Sequence, residues 1–198
     1  MNKLLSLTAL CLIIAISFTC CKKKSTTTNN GNSNDIVVNI DRSDTTTLPS
    51  AIPPLPGSLD FSATPMQIDT FATKVDEYIS PYGFSKDDII KVNLVKLNMI
   101  IENAPGQTFN FVKDSLISLK VYVDSFGGTA PKLVAQKVSI PAGSTSVEFD
   151  VMPDDIKDYF RADYMKILVA FRTQEYEGLA ANAKFRVNYT FRVTAKQP

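Results

Sequence analysis

Three cysteines and a cluster of aspartates are the residues whose chemistry must be accounted for first. Cys11, Cys20 and Cys21 all fall in the first 21 residues of a 198-residue chain. The remainder can form no disulfide, no thiolate nucleophile and no cysteine-held zinc or iron–sulfur cluster. Histidine is absent, so the side chain best suited to proton transfer near neutral pH, and the commonest metal ligand, is missing. Asp150, Asp154, Asp155 and Asp158 are hard oxygen donors of the kind calcium takes. Their spacing lacks the alternation and glycine turn of an EF-hand loop. Pro153 ahead of them suits the first turn of a helix, whose dipole favours acids there. The helix-start reading is therefore preferred. Ser85-Lys86-Asp87-Asp88 reads in the same way, as a capping box before a short turn. Paired acids could serve glycoside hydrolysis, but any domain with acids offers such pairs. No catalytic residue, cofactor site or metal site is assigned, and a non-enzymatic role is expected.

The cysteines belong to a different chemistry. Lys3 precedes an apolar run from Leu4 to Phe18 that stops at Cys20-Cys21-Lys22-Lys23-Lys24. A charged start, a short apolar segment and a processing site describe an export signal. The run is shorter than the ~20 residues a membrane-spanning helix needs. Phe18-Thr19-Cys20-Cys21 resembles the bacterial lipobox, with Cys21 as the acylated residue. Acylation of Cys20 is the poorer fit, because it would place bulky Phe18 on a small-residue position. The signal, with lysines directly after the cysteine, is similar to those of small cell-envelope lipoproteins of Bacteroidetes. In that group, acidic residues after the cysteine accompany export to the cell surface. Here no acid occurs before Asp35. The resemblance therefore implies an outer-membrane lipid anchor on the periplasmic face. The lysines could rest against anionic headgroups, at about 1 kcal/mol each.

Charge narrows the partners. Lys and Arg number 21 against 20 Asp and Glu, and the signal removes only Lys3. A mature chain of zero net charge is a poor candidate for nucleic acid, which is bound by phosphate neutralisation. Residues 21–56 read as a flexible tether. Ser25 to Asn34 is low-complexity polar sequence, and Pro49, Pro53, Pro54 and Pro56 stiffen the approach to the domain. Such a coil would span roughly 33 Å on average. Ile36-Val37-Val38-Asn39-Ile40 interrupts it as a possible stray strand on the domain edge. The expected organisation is a signal over 1–20, a tether over 21–56 and one domain over 57–198. A domain of about 140 residues buries close to 70% of its unfolded surface and can stand without disulfides.

Within that domain the hydrophobic period is two. Phe185, Val187, Tyr189, Phe191 and Val193 share one face, as do Ile117, Leu119, Val121 and Val123, and Val147, Phe149 and Val151. Val95, Leu97, Met99 and Ile101 run out of phase with Val92 and Leu94, which predicts a bulge near Leu94-Val95. Tyr164 to Thr173 is apolar on both faces and should be central. Val134 to Ile140 is a weaker strand, and Ile140 to Val151 suggests a hairpin. Leu59, Phe61, Met66 and Ile68 supply an opening strand. About seven strands with one wet face each predict a mainly β fold, an antiparallel Ig-like β-sandwich. Helical spacing from Ile68 through Phe71, Val75, Tyr78 and Ile79 to Tyr82 predicts one amphipathic helix, capped at Asp69 or Thr70 and stopped by Gly83. Pro153 to Phe160 predicts a short one.

Tyr78, Tyr82, Phe84, Tyr159, Phe160 and Tyr164 could form aromatic platforms for sugar or peptide; helical spacing favours core packing for most of them, and Tyr82 and Phe84 are the pair expected to be exposed. Asp44-Thr45-Thr46 in the tether resembles the O-glycosylation motif of Bacteroidetes exported proteins, as does Asp114-Ser115-Leu116. Asn188-Tyr189-Thr190 matches an acceptor triplet but falls mid-strand and is discounted. Together these readings describe a monomeric, lipid-anchored envelope protein with a non-catalytic module for binding or assembly. Its partner is a protein or a glycan. A fimbria-like adhesion subunit assembled by strand exchange and a glycan-binding module are the alternatives.

Overall fold

The computed structural model describes residues 24–29, 35–47, 65–102, 116–126, 130–141, 143–173 and 184–196. Cys20, Cys21, the signal, Pro49 to Pro56, Leu59, Phe61 and Asp114-Ser115 lie outside them. Ten strands are described, in chain order β1 (Lys24–Asn29), β2 (Asp35–Thr47), β3 (Met66–Ala72), β4 (Ile89–Glu102), β5 (Leu116–Asp124), β6 (Lys132–Lys137), β7 (Ser146–Glu148), β8 (Asp150–Val151), β9 (Tyr164–Thr173) and β10 (Lys184–Lys196). They form two antiparallel five-stranded sheets, ordered β1-β2-β10-β4-β7 and β3-β9-β5-β6-β8. Side chains from both sheets share one core, which includes Val38, Ile40, Val92, Leu119, Val169 and Val193. The expected mainly β, antiparallel sandwich is the observed fold.

The tether differs most from expectation. Residues 35–47 are not coil but an interior strand, paired along its whole length with β10 from Asp35↔Lys196 to Thr47↔Lys184. Residues 24–29 add a further strand outside it. Val38 and Ile40 are each only 1% exposed. The polar residues between them face outward and bond across the strands: the Thr190 hydroxyl donates to Asp41 (2.6 Å) and the Ser43 hydroxyl to Asn188 (2.7 Å). The Asn188 carboxamide in turn donates to Asn98 (3.4 Å), and Asn98 to Ser146 (3.0 Å). A polar row thus crosses four strands of the first sheet. Composition that resembles a linker is here the wet face of a sheet.

The strand count exceeds seven for this reason and one other. Residues 146–151 switch sheets at Phe149: β7 pairs with β4, whereas β8 pairs with β6. The expected hairpin is therefore only half realised, in the pairing of Ala135 with Val151 and Gln136 with Asp150. The predicted bulge is present. Opposite Thr190 and Phe191 the register passes from Lys96 to Leu94, leaving Val95 over, and Val92, Leu94, Leu97 and Ile101 are all buried.

Two short helices and two 3₁₀ turns close one end of the sandwich. The first helix, α1 (Val75–Ile79), is shorter than its spacing suggests. Met66 to Ala72 pairs with β9 instead, because a seven-residue strand there completes the second sheet. Lys74, in the left-handed region at φ 47°, turns the chain from strand to helix, so neither Asp69 nor Thr70 is the cap. Gly83 (φ 80°) ends the following 3₁₀ turn, as expected. The second helix, α2 (Lys157–Arg161), starts four residues after Pro153. The cap is tied together by the Thr73 amide to the Asp163 carbonyl (3.0 Å) and by the Thr73 hydroxyl to the Ala162 carbonyl. The strand ends Thr47, Glu102 and Lys184 meet at the opposite end.

Candidate binding surface

Each aspartate of the dense cluster has its own structural task. Asp155 accepts hydrogen bonds from the backbone amides of Val92 (2.9 Å) and Lys157 (3.0 Å), clamping the start of α2 to β4. The Ile156 amide returns a bond to the Val92 carbonyl (2.8 Å). Asp154 pairs with Lys132 at 3.4 Å, and Asp150 with Lys137 at 3.7 Å. Only Asp158 stands in the first turn of α2. The helix-start reading therefore holds for Asp158, in the first turn, and for Asp155, which accepts the first helical amide, but not for Asp150 or Asp154. Among the described residues no group of three or more His, Cys, Asp or Glu could hold a metal ion. The capping box at Ser85 is formed: Asp88 accepts from the Ser85 amide (2.8 Å) and hydroxyl (2.7 Å). These two bonds hold the Asp88 carboxyl below its ordinary range. The hydrogen bond from Lys86 to Asp163 (3.1 Å) raises the Lys86 ammonium.

The expected aromatic platform is not where the sequence placed it. Phe84 is buried at 4% exposure, and Tyr82 packs partly buried against the core. Phe160 is buried against Phe191, and Tyr159 donates its hydroxyl to the Ala130 carbonyl (2.9 Å). Tyr78 lies under the Arg42 guanidinium, 3.8 Å from the ring centre. Arg42 and Asp44 continue the inward phase of Val38 and Ile40, and Asp44 accepts the Tyr189 hydroxyl (2.7 Å). Asp44-Thr45-Thr46 is thus part of a paired strand with its aspartate buried, not a flexible acceptor.

Among the described residues, the rings most open to solvent are Phe126, 64% exposed, and Tyr164, 56% exposed. They meet edge to face, with centroids 6.5 Å apart and planes at 85°. Strand period explains the pairing. Tyr164 and Lys166 are two apart on β9 and share its outer face. Lys166 is in register with Asp124 at the end of β5, and Phe126 lies two residues further on. The Lys166 ammonium sits 4.3 Å from the Phe126 ring centre and 3.6 Å from Asp124. Asp124 also accepts from the Ser125 amide (2.8 Å). The two charged side chains are 22% and 15% exposed, so the ion pair forms a firm floor beneath one ring. Perpendicular rings on such a floor make an open aromatic corner. It offers an apolar face for stacking beside groups able to bond hydroxyls or amides. The sequence offers Tyr164 as a platform candidate but favours core packing for it, and Phe126 is missed because it follows its strand in a turn-like stretch. The period-two register of Tyr164, Lys166 and Asp124 was the available signal.

No protein-family model matches the chain, and no curated protein is similar to it.

Proposed function

We propose that this chain is a Bacteroidetes-type envelope lipoprotein, anchored in the outer membrane through Cys21, whose sandwich is a non-catalytic binding module. The observation that carries the binding role is the aromatic corner of Phe126 and Tyr164. Large exposed rings are enriched at binding sites because they bury much apolar area with few rotatable bonds. Rings held at right angles over an ion pair suit a glycan or an extended peptide segment. Strand exchange is the alternative reading: the edge strands β7 and β8 are only three and two residues long, so it would use β1 or β3, the longer edges.

Metabolic labelling with an alkyne fatty acid tests the anchor: wild type and Cys20→Ala label, and Cys21→Ser does not. Labelling retained by Cys21→Ser but lost from Cys20→Ala moves the site to Cys20. A glycan array tests the corner. Binding by wild type that Phe126→Ala and Tyr164→Ala each weaken at least about tenfold, the scale of a 1–2 kcal/mol contact, supports it. Binding indifferent to both substitutions sinks it.

A further inference from the structure

The position of β1 sets how the domain meets the membrane, an inference that rests on acylation of Cys21. Lys24 opens β1 opposite Asp41, and the strand then runs toward Asn29 opposite Ile36. The N-terminal end of β1 therefore points along β2 toward Thr47. Three residue steps separate Cys21 from Lys24, a reach of at most about 11 Å. From the level of Asp41 to that of Thr47 is six residues, or roughly 20 Å of strand. The anchor cannot extend beyond that end of the sheet, so an upright sandwich would drive its strand ends below the headgroups. A tilted sandwich avoids this.

We propose that the domain leans on the bilayer through one corner, formed by the start of β1 and the ends of β2 and β10 at Thr47 and Lys184, with the capped end pointing away. Charge favours the same pose. Lys184 stands at the corner's strand ends with Arg186 two residues along, the latter paired with Glu102, and in the sequence Lys22 and Lys23 lie between Cys21 and Lys24. The cap, residues 73–88 and 152–163, instead carries eight carboxylates against four basic side chains. An anionic leaflet attracts the first group and repels the second. The aromatic corner belongs to the capped end, since Tyr164 opens β9 directly after the cap. It is thereby presented outward.

Energy transfer in vesicles tests the pose. The acylated protein, carrying Lys184→Cys or Asp158→Cys with a donor dye, is placed in phosphatidylcholine–phosphatidylglycerol vesicles bearing a headgroup acceptor. Transfer from position 184 should exceed that from 158 at least roughly twofold, given about 30 Å of strand between the two ends. Equal transfer, or stronger transfer from 158, overturns the proposal. A cross-strand disulfide between Thr26→Cys and Asn39→Cys, which are in register, should leave both values unchanged. A rise on locking would show that β1 is ordinarily undocked and would also overturn it. Intact mass keeps the two readings apart. A mature chain without acyl groups refutes the anchor and the pose together, whereas an acylated chain with equal transfer refutes the pose alone.

Discussion

Asp155 shows how much one side chain can organise. It accepts from two backbone amides that belong to elements 63 and 2 residues away in sequence. Asp155→Ala leaves the Val92 amide of an interior strand without its partner, and should cost about 2–4 kcal/mol in a denaturant titration. Asp155→Asn, which keeps an acceptor oxygen, should lose less. Asp88 gives a pH dependence. Its folded carboxyl lies below the ordinary range because of the bonds from Ser85. The stability it contributes is present above the unfolded carboxyl's range and is lost as pH falls through the depressed folded value. In a carbon-detected NMR titration, Ser85→Ala should raise the Asp88 midpoint. An unchanged midpoint would separate the shift from the capping box. The box was legible because its partners are three residues apart. The Asp155 clamp was not, because its main acceptor role spans 63 residues and no local pattern records it.

Among the elements, β2 is where sequence and structure part. Its inner face runs Ile36, Val38, Ile40 and then continues Arg42, Asp44, so the apolar alternation stops after three positions. Its outer face is Asn, Asp and Ser, which bond to β10 rather than to water alone. Only the partner strand distinguishes this from a linker. Ile40→Ala tests the assignment: a buried position should cost about 2–5 kcal/mol, whereas a tether position would cost nothing measurable. The bulge in β4 was legible because the phase of the apolar residues changes at one point. Because Val95 is the extra residue, deleting it should leave Val92 and Leu94 in unbroken alternation with Leu97 on the inner face. The variant should keep a cooperative thermal transition, and loss of that transition would show that the bulge itself is needed. The α1 region misled because Ile68, Phe71 and Ala72 satisfy helical spacing and can also serve a strand, and sheet completion decides between them.

For the molecule as a whole, the domain boundary moves toward the N-terminus. A chain beginning at Gly57 lacks β2 and exposes one whole side of β10, whose thirteen residues pair with it. It should be insoluble or unfolded by circular dichroism. A chain beginning at Asp35 lacks only β1, six residues with no apolar side chain, and should retain a cooperative transition. The sandwich class was readable because most strands keep one wet face. The docking of the segment before β2 was not, since β1 has no apolar residue to betray it.

The pairing of Asp35–Thr47 with Lys184–Lys196 also fixes the order in which the molecule can be completed. The strand made among the first must wait for the strand made among the last, with nearly the entire domain lying between them. Contacts so distant along the chain place the protein among slow folders, with closure in milliseconds to seconds. Vectorial synthesis therefore delivers a first sheet lacking its middle strand. Until residue 196 emerges, the edge of β2 that β10 will occupy stays open, since β1 pairs with its other edge.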